Sequence, residues 1–363
     1  MGLLPQAIFG PLGGTIADRF NRRIVMVVAD AITAACMAGL VLLFATDSVQ
    51  LWHVYVLMFV RSSMQAFQAP AAAASTANLV PQAWLPRVAG MNQSLQGVMT
   101  IASAPLGALA LAVLPLEGAL LIDVATAVLG IVPLFFYAVP QPPINRAATG
   151  FWTDFRVGVA YVAQNRGLLT MFALLGLVVL AIMPTFTLVP LLVKQHFGGG
   201  VNQVALMEGL AGLGMILGGV IVGIAPARRP IVLMLVSFVA SCLLLAVTGL
   251  APRDAFWLAV TAWMLSGLAF STGSAPITAV LQTLVPNAMQ GRVLSLMTTV
   301  MGVAGPIGLA IAGPLGEAVG VNSAFVIGGF VAAGISALAF LSKALLSLEQ
   351  QLQHEGEDGA RRA

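Results

Sequence analysis

The chain has 363 residues, of which 59% are hydrophobic and only 8% charged, against about 25% charged in an ordinary soluble domain. Such a chain has too little polar surface to clothe itself in water, and its mean hydropathy of +0.99 agrees, so a soluble globular fold is excluded. The net charge of +3 comes from 16 basic residues set singly and in pairs between apolar runs, which excludes a nucleic-acid surface and marks them as topology signals.

The N-terminal MGLLPQAIFGPLGG has no basic leader and no cleavage site set off from a following domain, so it reads as part of a helix. A hydrocarbon core about 30 Å thick needs roughly 20 apolar helical residues per crossing. Eleven segments meet or approach this: 2–17, 24–45, 52–75, 88–113, 118–138, 168–194, 204–225, 231–250, 256–281, 292–316 and 323–346. The sequence therefore predicts an all-α polytopic membrane protein. Residues 1–138 are expected to form an N-terminal bundle and 167–347 a C-terminal bundle. Residues 139–166 join them as a cytoplasmic loop. In that loop FWTDFRVGVAYVAQ forms an amphipathic helix, with Phe151, Phe155 and Val162 against the membrane surface and Asp154, Arg156 and Gln164 in water. The polar residues 348–363 are expected to be a disordered cytoplasmic tail.

Thirteen basic residues, including Arg19, Arg22, Arg23, Arg87, Arg228, Arg229 and Arg292, fall on one side of these spans, and only Lys194 and Arg253 fall opposite. That side is the cytoplasm by the positive-inside rule, which also places the C-terminus there. Features recur at an offset of 205: Gly13-Gly14 with Gly218-Gly219, Arg23 with Arg228, Leu79-Val80-Pro81 with Leu284-Val285-Pro286, and Arg87-Val88 with Arg292-Val293. Two homologous halves follow. Carried backwards, the offset puts the counterpart of span 168–194 upstream of Met1, so the sequence predicts eleven helices of a twelve-helix pattern.

Between the first two spans, Gly14-Thr-Ile-Ala-Asp18-Arg19-Phe-Asn-Arg22-Arg23 resembles the signature loop of the major facilitator superfamily, Gly-x-x-x-Asp-Arg-x-Gly-Arg-Arg. Asn21 replaces the usual Gly, a change that left-handed backbone geometry tolerates. The two halves, the long central loop and the degenerate second copy at Arg228-Arg229 extend the resemblance over essentially the whole chain. Phe67-Gln-Ala-Pro70, Asn78-Leu-Val-Pro81, Asn92-Gln-Ser, Ala104-Pro-Leu-Gly107 and Leu121-Ile-Asp123 are similar to the branch that holds macrolide-efflux proteins and the enterobactin exporter. The resemblance implies the major facilitator fold and proton-coupled export of small amphipathic molecules by alternating access.

The same resemblance implies a cytoplasmic gate at Gly14, Asp18, Arg19, Arg22 and Arg23, a carboxylate pairing with Arg and with a helix end. The competing reading gives the arginines a topological role alone. Arg61 lies well inside its span, where a charge calls for a partner or a wet cavity. It is a candidate for proton movement or, equally, for a structural pair with a carboxylate. Asp30, Asp123 and Glu208 are the acids placed within spans and the remaining candidates for proton coupling, although each taken singly reads first as an interfacial or packing residue. Pro105 with Gly107, and Pro306 with Gly308, are degenerate forms of the bend motif of family antiporters and are expected hinges. Trp263, Phe67, Phe186, Phe270, Met64, Met99, Met183 and Met297 are candidates to line a central cavity.

Cys36 and Cys242 lie in apolar stretches and make neither a disulfide framework nor a CxxC site. No grouping of His, Cys and carboxylates has metal-ligand spacing, and no nucleophile stands near a base in sequence. No enzyme activity, metal or cofactor is expected. The expected partners are a small-molecule substrate, protons and the lipid bilayer, with no nucleic acid, in a monomer in the bacterial inner membrane. A lipid or lysolipid transporter, and a non-transporting truncated membrane protein, remain the alternative readings.

Overall fold

The structure is a computed structural model and describes residues 4–136, 151–225 and 227–362. The described residues fold into helices, one over each of the eleven predicted spans: α1 Leu4–Arg19, α2 Arg22–Ala45, α3 Leu51–Leu79, α4 Leu85–Val113, α5 Leu116–Phe136, α7 Arg166–Leu191, α8 Val201–Ile224, α9 Pro230–Leu250, α10 Phe256–Leu284, α11 Gln290–Val319 and α12 Val321–Leu338. Two more, α6 Phe151–Gln164 and α13 Lys343–Arg362, lie in the polar stretches. Among the described residues, eight helices (α2, α5 and α7 to α12) are long and apolar enough to cross a bilayer by length and composition.

Local chemistry sets the helix ends. Asn165 caps α7, its side-chain oxygen accepting from the Gly167 and Leu168 N–H groups at 3.1 and 3.2 Å. Pro230 opens α9, where its missing N–H costs nothing. Asn21 caps α2, accepting from the Arg23 N–H at 3.0 Å. Its φ of −59° shows that the residue is there as a cap, and the left-handed conformation expected for it is not used.

The chain's contacts divide it into two compact units. The first comprises residues 1–82, 105–162 and 285–303, and the second 83–104, 163–284 and 304–363. Unit 1 therefore holds α1, α2, α3 and α5 with the start of α11, and unit 2 holds α7 to α10, α12 and α13 with the start of α4. The exchange is reciprocal, because α4 and α11 are partners under the 205-residue offset. α4 changes unit at Ala104–Pro105, and α11 changes at Val303–Ala304, just before Pro306. Both expected hinges thus fall where a helix passes from one unit to the other.

Glycines let the helices of each unit approach closely. In unit 1 a side chain on Gly13 would strike the Ala66 carbonyl of α3, and one on Gly14 would strike Gly291 and Ser295 of α11. In unit 2 Gly218 stands in the same way against Leu268 of α10, and Gly219 against Gly90 and Ser94 of α4. The repeated pair thus does the same work twice, allowing backbone-to-backbone crossing within membrane helices. Gly212, Gly214, Gly218 and Gly219 of α8 are packing elements, whereas nothing lies within 4 Å of a methyl group added at Gly209.

Two expectations about the polar stretches change. Residues from 348 onward do not begin a disordered tail: α13 continues through them, with Leu345, Leu348 and Glu349 buried. These positions share one face of a helix. Leu348 and the Ala344 carbonyl crowd Gly167 of α7, and Glu349 Oε2 accepts from the Ile231 N–H at the start of α9 at 3.0 Å. Burial outweighs this hydrogen bond and holds the Glu349 carboxyl above its ordinary pKa. The second change concerns α6. Its Val162 is buried, and a methyl group added at its Gly158 would come within 3.1 Å of Arg292 Cβ, so this side rests on protein and not on the membrane surface, while Arg156 and Gln164 are exposed as expected. Residues 137–150 of the central loop, and the side chains of Phe151 and Asp154, lie outside the described residues.

Candidate functional site

Two constellations carry chemistry. The first, in unit 1, is built where α1 ends. Asp18 lies just past the apolar span 2–17, and its carboxylate accepts two backbone hydrogen bonds from the first turn of α11, Gly291 N–H at 2.9 Å and Arg292 N–H at 3.0 Å. These N–H groups have no partner within their own helix and sit at its positive end, so a carboxylate is the complementary group. Gly14, one turn earlier on α1, admits α11 closely enough for Asp18 to reach it.

Among the described residues Arg22 is the largest fully buried side chain, at 0% exposed. Its guanidinium donates to the carbonyls of Ala17 at 3.2 Å, Ala74 at 2.9 Å and Asn287 at 3.0 Å, and to Asp18 Oδ1 at 3.4 Å. It thereby ties the end of α1, the end of α3 and the turn before α11 into one polar knot. Arg292 Nε lies 3.7 Å from Asp18 Oδ2 on the outer side. The Asp18 side chain is 1% exposed, and its pKa rises from 3.8 to about 6. Burial causes the rise, opposed by the Arg292 N–H, Arg22, the Gly291 N–H and the Arg292 charge.

Of the expected gate residues, the structure brings Gly14, Asp18 and Arg22 together. Arg23 turns away, donating to the Phe135 carbonyl of α5 at 3.0 Å with its guanidinium 5.8 Å from that ring. Asp30, further along α2, is half-buried and outside the knot. Gly291, Arg292 and Asn287 were not singled out as gate residues from the sequence, although the pairing of Arg87 with Arg292 under the repeat offset pointed to this turn. Among the described residues unit 2 has no such knot: the position equivalent to Asp18 is Gly223, which faces the Arg87 carbonyl. Only one of the two copies carries the carboxylate.

Arg61 and Asp123, placed separately by the sequence, form an ion pair between α3 and α5, Nη2 to Oδ2 3.2 Å. The side chains are 44% and 40% exposed. The pair is the carboxylate partner that a membrane-embedded arginine requires.

The second constellation is a cavity of about 250 Å³ inside unit 2. Phe186 of α7, Glu208 and Met215 of α8, and Trp263 and Phe270 of α10 line it. Trp263 and Phe186 rings lie 5.3 Å apart. Ser241 and Ser266, also on the wall, satisfy one another, each hydroxyl reaching the other's carbonyl at 3.0 Å. α8 begins at Val201, earlier than the expected 204, so Glu208 stands two turns inside its helix. Of the eight side chains expected to line a cavity, Trp263, Phe186 and Phe270 do so here. Met183 instead packs on Gly308 of α11, and Phe67 stacks near Phe9 with centroids 6.3 Å apart.

Comparison with known proteins accords with this arrangement. The macrolide efflux protein A of Streptococcus pyogenes is 31% identical over 332 residues, 91% of this chain and 82% of that protein. The protein of the same name from Enterococcus faecalis is 31% identical over 312 residues, covering 85% and 97%. The multidrug efflux pump Tap of Mycobacterium bovis is 27% identical over 343 residues, covering 89% and 79%. Among solved structures, the Escherichia coli fucose:proton symporter superposes with a TM-score of 0.75 at 14% identity, over 94% of this chain and 93% of that one. The human organic anion transporter TETRAN gives 0.73 at 19% identity, over 95% and 82%. At these identities the two superpositions speak for the fold alone. The family model of the Major Facilitator Superfamily matches residues 1–308 and 185–359. With its helices, its repeated glycine pair and its Asp18 loop, the chain belongs to the Major Facilitator Superfamily and is a multi-pass cell-membrane transporter.

Proposed function

We propose that this protein is a secondary active exporter of small amphipathic molecules, driven by an inward proton gradient through alternating access of its two bundles. The observation that carries the reading is the Asp18 knot: a carboxylate on α1 holds the first turn of α11 from 273 residues away through hydrogen bonds that can be made and broken without unfolding a helix. In this reading the knot closes the cytoplasmic end, Pro105 and Pro306 are the hinges, and Asp30, Arg61, Asp123 and Glu208 are the candidate groups for moving the proton. The C-terminus and the basic loops lie in the cytoplasm, and the monomer is the working form. The likeness to efflux proteins over most of the chain supports export as the direction.

The test is efflux of a lipophilic fluorescent dye from cells making the protein. Efflux above that of control cells, lost when an uncoupler collapses the proton gradient, is the expected result. Efflux that ignores the uncoupler contradicts proton coupling, and no efflux of any dye, with uptake of labelled lysolipid instead, favours the lipid-transport alternative.

A further inference from the structure

At the end of unit 2 opposite the basic loops, a polar pocket and an apolar groove meet at one residue. The pocket, about 450 Å³, is lined by His196 beyond α7, Arg253 in the turn between α9 and α10, and Asn322 and Ser323 in the first turn of α12. Among the described residues Arg253 makes no ion pair, and the Asn322 and Ser323 side chains have no hydrogen-bond partner. No acidic side chain lines the pocket, and the adjacent Asp254 is exposed and stands outside it. His196 is already used: its Nε2 lies 2.8 Å from the Ala251 carbonyl, which can only accept, so the ring holds the turn that carries Arg253. A row of rings marks the level of the pocket in the membrane. His196, Phe197, Phe256 and Trp257 follow one another with centroids 4.7, 5.5 and 6.1 Å apart, and aromatic side chains gather at the headgroup level of a bilayer. The groove, about 310 Å³, lies between α7, α11 and α12, and every residue lining it is apolar, Leu177, Pro184, Leu315 and Val331 among them. Ile327 lines both pocket and groove. From Ile327 to Ile335 the groove follows α12 for about 12 Å, close to the ~15 Å hydrocarbon depth of one leaflet.

We propose that this paired site binds a phospholipid of the outer leaflet with a net negative headgroup, its phosphate on the Arg253 guanidinium and the Asn322 and Ser323 side chains, and one acyl chain passing Ile327 into the groove. A guanidinium matches phosphate oxygens with paired N–H donors, and no other charge lines the pocket to compete for it. The two halves together select the occupant. A free phosphate leaves the groove empty, and a neutral apolar molecule leaves Arg253 unanswered. A zwitterionic headgroup gains nothing from its amine, because no carboxylate lines the pocket to receive it. The lipid is a bound neighbour of the helices and not a cargo, so the site is independent of what the protein transports.

The experiment uses the purified full chain in a neutral detergent, with phosphatidylglycerol and phosphatidylcholine of the same acyl chains, and reads bound lipid by native mass spectrometry. The wild-type protein is expected to bind phosphatidylglycerol about fivefold more tightly, the share of one basic residue at an anionic surface. Arg253→Gln is expected to bind both lipids equally. Lys194→Gln, which removes the other basic residue of that side and lines neither part of the site, is expected to keep the preference. Val331→Trp fills the groove from a side chain that is 50% exposed and is expected to weaken both lipids alike. Leu177→Trp, on the α7 wall and 49% exposed, does the same should the first variant fail to fold. A wild type without preference, an Arg253→Gln protein that keeps it, or a Lys194→Gln protein that loses it overturns the proposal, as does undiminished binding in a folded groove variant. Glycerol 3-phosphate, the headgroup chemistry without chains, is expected not to displace the lipid at equal concentration; displacement makes this a small-anion site and overturns the lipid. Dye efflux enters none of these readouts, so their failure leaves the exporter reading untouched.

Discussion

Replacing Asp18 by alanine is expected to lower the stability of the detergent-solubilised protein by about 2–6 kcal/mol, read as a lower thermal midpoint, and to abolish transport. The Gly291 and Arg292 N–H groups lose the carboxylate to which they donate at 2.9 and 3.0 Å, and a buried donor that loses its acceptor costs about 1–3 kcal/mol. Asparagine is expected to be milder, because it keeps one acceptor oxygen. That ordering separates two roles for the carboxylate. Were Asp18 present chiefly to neutralise Arg22, asparagine and alanine would be equally damaging. Its pKa, raised to about 6 by burial in spite of Arg22, Arg292 and the two N–H groups, shows that pairing with the arginines does not outweigh the cost of burying the charge.

The same shift fixes the sign of the pH dependence. The folded form binds the Asp18 proton more tightly than an unfolded chain, whose carboxyl has the ordinary value of 3.8. The contribution of this group to stability is therefore complete below about pH 4 and is lost as pH rises through about 6. Thermal unfolding at pH 5 and 7.5 checks this: the wild type gains stability at the lower pH from this group, and Asp18→Asn lacks that gain.

The second large effect is expected at Gly14. A valine there meets the Gly291 carbonyl and the Ser295 side chain of α11, and a backbone oxygen cannot rotate aside as a flexible side chain does. Overpacking of this kind typically costs about 1–3 kcal/mol, and here it also draws Asp18 away from its two N–H donors, so transport is expected to fall with stability. Gly39 of α2 is the matched comparison, since nothing lies within 4 Å of a methyl group added there. Gly39→Ala is expected to be neutral or to stabilise by about 0.5–1 kcal/mol. Equal effects at the two glycines in thermal unfolding would remove the close crossing of α1 and α11 from the account.

The sequence foretold the helices well because a bilayer-crossing helix is written locally, in some twenty consecutive apolar residues with polar turns between. Its basic residues and the 205-residue repeat also foretold which helices correspond, and the paired roles of Gly13-Gly14 and Gly218-Gly219 bear this out. Asp18 and Arg22 were legible through their motif. Their partners were not, because Asn287, Gly291 and Arg292 lie more than two hundred residues away and contribute mainly backbone atoms, which leave no mark on residue identity. The same reason hid the docking of α13: two leucines and a glutamate amid polar residues read as a tail until α7 and α9 supply the surface they bury against. Arg61 and Asp123 were each conspicuous as charges in apolar helices, but only the structure shows that they answer one another.

The most direct test of proton-driven export uses the purified protein in sealed liposomes with an imposed pH gradient, acidic inside, and an uncharged dye, which such a gradient does not trap by itself. Coupled export in the antiport sense predicts that the dye accumulates in the acidic lumen as protons leave, faster than in protein-free liposomes, and that an ionophore dissipating the gradient stops it. Dye movement that is the same with and without the gradient, or that follows the protons outward, would contradict it.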